Sequence, residues 1–118
     1  MLMVLSSCVD PTTFEVKNGT SNFNMYDVKV YEYTGSDVVG NYDIGNLSVG
    51  ASSGVIEAEK DAEQVKIAFK FFPEGAVCTT VEYFSLTKNK HTMILLDDDT
   101  QIVSGSKSEV KLRRAVKE

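Results

Sequence analysis

The side chains in this sequence that could do chemistry are few, and their spacing restricts what that chemistry could be. Gly50-Ala51-Ser52-Ser53-Gly54 matches the Gly-x-Ser-x-Gly pattern of a nucleophile elbow. That pattern makes a nucleophile only at a tight strand-to-helix turn, with a histidine and an acid brought to the serine in space. The only histidine is His91, and no amphipathic helix pattern surrounds the serine, so residues 50–54 are expected to form a flexible loop and Ser52 with His91 a weak hydrolase candidate. His91 follows Lys88 and Lys90 and is expected at the surface. Asp97, Asp98 and Asp99 cluster three hard oxygen ligands, but Gln101, Ile102 and Val103 stand where a calcium loop needs further acidic and glycine positions. They are expected to form a charged turn and are weak metal candidates. Two cysteines, Cys8 and Cys78, with one histidine, make neither a zinc site nor a disulfide framework. No catalytic residue and no cofactor is expected.

Aromatic residues offer a different kind of chemistry. In 24–33, Tyr26, Val28 and Val30 alternate with Asp27, Lys29, Tyr31 and Tyr33. Tyr31 and Tyr33 therefore fall on the side that begins with charges, where their rings could stack on sugars or anchor a protein. Tyr42 is the nearby third member of this candidate binding surface.

The elements that must position these residues read as strands. Val65, Ile67, Phe69 and Phe71 occupy alternate positions opposite Lys66, Ala68 and Lys70, the signature of a half-buried strand around which the others should be placed. Residues 12–17 are expected as the first strand and 24–33 as the next, with short glycine-punctuated strands over 38–54. Residues 55–59 are expected as another short strand, with Val55 facing inward and Ile56 as the second inward candidate. Residues 77–86 should form a hairpin with the central strand through the Pro73-Glu74-Gly75 turn, and 91–96 and 100–103 should flank the aspartate turn. Turn signals recurring after such short strands point to an all-β, two-sheet antiparallel sandwich, immunoglobulin-like or fibronectin-like, with seven to nine strands; an open barrel is the second choice.

At 118 residues the chain is one domain, and its 42% hydrophobic and 25% charged content is ordinary for a globular protein. The net charge of -5 is uneven, since residues 107–118 carry five basic and two acidic side chains. The acidic remainder argues against nucleic acid as a partner. The basic segment could be a strand or a helix. Asn18-Gly19-Thr20 and Asn46-Leu47-Ser48 fit the glycosylation sequon, which matters only in a eukaryotic secretory setting.

Met1-Leu2-Met3-Val4-Leu5-Ser6-Ser7-Cys8 is apolar but far too short to span a bilayer, and its end, Leu5-Ser6-Ser7-Cys8, resembles the lipobox of bacterial lipoproteins. The resemblance implies that residues 1–8 are the remnant of a signal peptide and that Cys8 is lipidated. The alternatives are a bridge to Cys78 or an apolar first strand. A lipobox, a short spacer and a domain over 9–118 containing Asp43-Ile44-Gly45-Asn46-Leu47-Ser48-Val49-Gly50 together resemble the small envelope lipoproteins of Bacteroidetes. This implies a module anchored by lipid in the periplasm or outer membrane. The expected function is non-enzymatic binding of a protein or glycan partner, the alternative being a pilus-like subunit completed by strand augmentation.

Overall fold

The computed structural model describes residues 10–104 and 110–112, and Cys8 and most of the basic segment lie outside them. The described chain is all-β. Its strands are β1 (Thr13–Asn18), β2 (Met25–Thr34), β3 (Asp37–Leu47), β4 (Ile56–Glu57), β5 (Gln64–Lys70), β6 (Cys78–Thr80), β7 (Phe84–Ser85), β8 (His91–Leu96), β9 (Gln101–Ser104) and β10 (Val110–Lys111). They form two sheets. The smaller has the order β4-β1-β8; the larger has the order β10-β9-β6-β5-β2-β3, with β7 also paired to β5. The count of ten described strands includes three two-residue segments, β4, β7 and β10.

The core lies between the sheets. Val65, Ile67 and Phe69 of β5 are fully buried, as are Met25 and Val30 of β2, and they meet Phe14 and Val16 of β1 and Ile94 and Leu96 of β8 in one apolar cluster. Each such side chain removed from water contributes roughly 1.5–3 kcal/mol, so the alternation of β5 is enough to fix which of its faces turns inward. Phe71 packs only partly buried at the rim, edge-to-face with Phe69.

Several local expectations give way to the structure. Residues 38–54 do not make several short strands: one strand, β3, runs for 11 residues, and its glycines fall at irregularities in the ladder. Gly45 has φ +95°, a conformation that glycine adopts without steric cost. At Gly40 a Cβ would stand 2.6 Å from Glu59 Cγ and 2.8 Å from Glu32 Oε1, so the residue is small because two glutamate side chains cross it. In β2 a bulge resets the alternation. Met25 and Val28 both face inward, with Tyr26 and Asp27 between them, because Asp27 takes φ +51° and is held by Lys70 at 3.2 Å. Residues 77–86 split into β6 and β7. Where the ladder breaks, the Thr80 hydroxyl accepts a hydrogen bond from the Ile67 N–H at 3.0 Å and replaces a backbone carbonyl. Residues 55–59 yield only the two-residue β4, in which Ile56 is buried, while Val55 just before it is exposed.

Two pairings differ from the expected antiparallel hairpins. β1 and β8 run parallel, from Thr13 beside His91 to Asn18 beside Leu96. A parallel pair needs a long crossover, and here everything from β2 to β7 supplies it. The aspartate turn does not close a hairpin either, since β8 belongs to the smaller sheet and β9 pairs with β6 and β10 in the larger one.

Candidate functional site

The outward face of β2 and β5 is where side chains capable of recognition gather. Glu32 turns inward, and its neighbours Tyr31 and Tyr33 turn outward, opposite Lys66 and Gln64 of β5. The loop between β6 and β7 brings a further aromatic residue that the alternation of β2 does not reveal. Tyr83 stands edge-to-face with Tyr33, ring centroids 5.0 Å apart, and the Lys66 ammonium sits 4.5 Å from the Tyr83 ring centroid. Such a cation over a ring is attracted by the ring's negative face. Burial, then the neighbouring phenols of Tyr83 and Tyr31, hold the Tyr33 phenol above its ordinary value of 10.0, so at neutral pH it is a neutral donor and acceptor.

Beside these rings runs a groove of about 420 Å³. Tyr31 forms one wall, Gly45 and Ala68 are among its small residues, and Lys29–Asp43 at 3.4 Å and Lys70–Asp27 at 3.2 Å flank it. These two ion pairs are half-exposed, so their value lies in the donors and acceptors they hold in place; such pairs add little to stability. The Lys29 ammonium lies 6.0 Å from the Tyr31 ring centroid and links the groove to the aromatic row.

Tyr42 lies elsewhere. It is paired with Val30 across β2 and β3, so it belongs to the opposite face of the sheet from Tyr31 and Tyr33, although it is exposed. The three tyrosines therefore do not form one surface, and Tyr83 takes the third place. The sequence signal for Tyr83 is its place in the aromatic pair 83–84, but a regular strand over 77–86 hides it, because the chain leaves the ladder after Thr80.

His91, Thr13, Glu15 and Ser52 come together on the outer face of the smaller sheet. Thr13 Oγ1 lies 2.9 Å from His91 Nδ1, and His91 Nε2 lies 3.0 Å from Glu15 Oε1, while the Ser52 hydroxyl donates to the other oxygen of Glu15. The Ser52 bond first, and the His91 bond second, hold the Glu15 carboxyl below its ordinary range. Ser52 thus meets the carboxylate and not the imidazole that would have to take its proton. The histidine touches a hydroxyl and a carboxylate on the outer face of the sheet, its side chain 41% exposed. What this chain of bonds does is tie β1 to β8 and to the 50–54 loop, where Lys17 also bridges to Ser52.

The three aspartates are turned toward separate partners. Asp97 Oδ1 accepts from the Asp99 N–H and the Thr100 hydroxyl, Asp98 accepts two bonds from Ser21, and Asp99 lies 3.7 Å from Lys111. No group of three potential metal-ligating side chains occurs among the described residues. Cys78 is buried on β6. Cys8, the expected lipidation site, lies outside the described residues, as does its possible bridge to Cys78. Among the described residues no helix is long and apolar enough to cross a membrane.

A scan against protein-family models finds no match, and neither does a search of curated proteins. Among solved structures, the chain is similar to the NMR structure of a protein from Eubacterium rectale, with a TM-score of 0.56 and 16% sequence identity. The match covers 84% of this chain and 94% of that one. At that identity the likeness is one of fold: a small β-rich, two-sheet domain, with nothing said about ligand or activity.

Proposed function

We propose that this protein is a non-enzymatic binding module of the bacterial cell envelope, tethered by lipid on Cys8, which engages its partner through the outer face of the larger sheet. The observation that carries this reading is one sheet face on which the Tyr33, Tyr83 and Lys66 cluster stands next to Tyr31 and Lys29, and these last two line a groove. A sheet face covered only to keep the fold soluble has no reason to set aromatic rings against ordered ion pairs, whereas binding sites combine flat apolar surface with a few fixed polar groups.

The test separates anchoring from recognition. Full-length protein carrying Cys8→Ser, which has no thiol to lipidate, is mixed with envelope fragments of the source cell and sedimented. It should be carried down, and Tyr31→Ser/Tyr33→Ser should remain in the supernatant. Mass spectrometry of the unsubstituted protein should find a diacylglyceryl group on Cys8.

A second reading rests on the outer edge of β3, which among the described residues pairs only with β2 and carries exposed Val38 and Val39 along its 11 residues. Such an edge could accept a strand from a partner. Its bulges and glycines disfavour regular pairing, which ranks it second. Sedimentation that survives loss of the tyrosines but fails with Val39→Glu would support it.

A further inference from the structure

Resting on the reading of the outer face as the binding surface, we infer that its ligand is a neutral, hydroxyl-rich polysaccharide chain lying along β2 and β5. The composition of the face distinguishes this from a protein partner. Protein interfaces concentrate aromatic, Met and Arg side chains at their centre and are depleted in Lys and Asp. Here the centre holds Lys29–Asp43 and Lys70–Asp27, and Val77 is the exposed aliphatic side chain in the groove's lining; Val38 and Val39 lie out on the edge strand β3, and Met93 and Leu95 on β8 in the other sheet.

Each ion pair presents ammonium donors beside carboxylate acceptors, the pairing that suits a sugar hydroxyl, which both donates and accepts. Because the charges compensate within each pair, the groove has no excess of one sign with which to select an acidic or basic polymer. Tyr31, Tyr33 and Tyr83 supply ring surface for the apolar C–H faces of sugar rings. From the Tyr26–Lys70 pairing to the Tyr33–Gln64 pairing the face runs for roughly 20 Å, long enough for several sugar units in a row.

The experiment is native gel electrophoresis of the full-length Cys8→Ser protein through gels containing one soluble polysaccharide each: neutral glucans, mannans and xylans, with polygalacturonate as the acidic comparison. At least one neutral polymer should retard the protein, with little dependence on salt. Tyr31→Ala and Asp43→Ala should each weaken retardation by roughly tenfold, Tyr31→Phe should preserve most of it, and Tyr42→Ala on the opposite face should leave it unchanged. Thermal melts of each variant exclude loss of fold as the cause.

Retardation only by polygalacturonate and abolished by salt would overturn the inference, because lysines would then be acting alone. So would retardation that survives Tyr31→Ala and Asp43→Ala together. If no polysaccharide retards the protein but envelope fragments still sediment it in a Tyr31-dependent way, the glycan is wrong and the binding face stands. If neither binds, both readings fall.

Discussion

Asn18 shows how a residue that reads as a loop signal can be a structural centre. Its side chain is fully buried, its Nδ2 donates to the carbonyls of Phe23 and Leu47 at 2.7 and 3.0 Å, and its Oδ1 accepts from the N–H and hydroxyl of Thr20. All four of its hydrogen-bonding positions are used, which also leaves its amide with no access for glycosylation. Asn18→Ala removes all four bonds at one buried point, where the Phe23 carbonyl and the Thr20 hydroxyl keep only the bonds between Thr20 and Phe23, and should cost about 2–4 kcal/mol in chemical denaturation. Glu32 has the opposite character. It is buried on the inward side of β2, where burial raises its carboxyl above the ordinary 4.5. The Glu59 N–H at 3.3 Å opposes that shift, and the Glu59 carboxylate adds to it. A raised folded-state value means that the folded protein holds this proton more tightly than the unfolded chain. The protein therefore loses stability from this group as pH rises from 4.5 through the raised value. Glu32→Gln keeps an acceptor for the Glu59 N–H and removes the charge. It should be more stable than the parent at pH 7, by on the order of 0.5 kcal/mol after solvent screening, with the gap closing in melts below pH 4. Glu15 works the other way: its lowered carboxyl supports the fold above 4.5 and loses that contribution as pH falls.

At the scale of elements, the strands that follow strict alternation were legible from sequence and the irregular ones were not. β5 could be read because a strand buried on one face must repeat every second residue. β2 could be read only as far as its bulge, since one left-handed residue at Asp27 shifts the phase and exchanges Tyr26 for Met25 in the core. β3 was broken into pieces because Gly40 and Gly45 look like turn residues, yet here they serve a close approach and a bulge within one strand. The same limits governed the candidate site. Tyr31 and Tyr33 share a face by simple periodicity. Tyr42 is placed by register between two strands, and Tyr83 by a loop whose path depends on Thr80. Thr80→Val keeps the shape but leaves the buried Ile67 N–H without its acceptor, and should destabilise the fold by about 1–3 kcal/mol while Thr79→Val, half-exposed beside it, costs less. Phe69→Ala at the centre of β5 should cost about 3–5 kcal/mol, measured by the urea midpoint, because the closed sheets cannot collapse into the space.

At the scale of the whole molecule, two sheets close over one apolar cluster, and their outer faces divide the labour. The smaller sheet spends its polar groups on internal bonds, Thr13 through His91 and Glu15 to Ser52, while the larger presents tyrosines and paired charges outward. Nothing in the order of residues could announce this division, because it arises from the long crossover that sets β1 beside β8 and leaves β2 beside β5. The most direct measurement is site-specific photo-crosslinking of the full-length protein in its own cells, with a photoreactive phenylalanine analogue placed in turn at Tyr31, Lys66, Tyr42 and Met93. Adducts of shifted mobility are expected from positions 31 and 66 and not from 42 or 93. Adducts from 42 or 93 alone would show that the working surface is the opposite face or the smaller sheet, and would contradict the assignment of function to the outer face of β2 and β5.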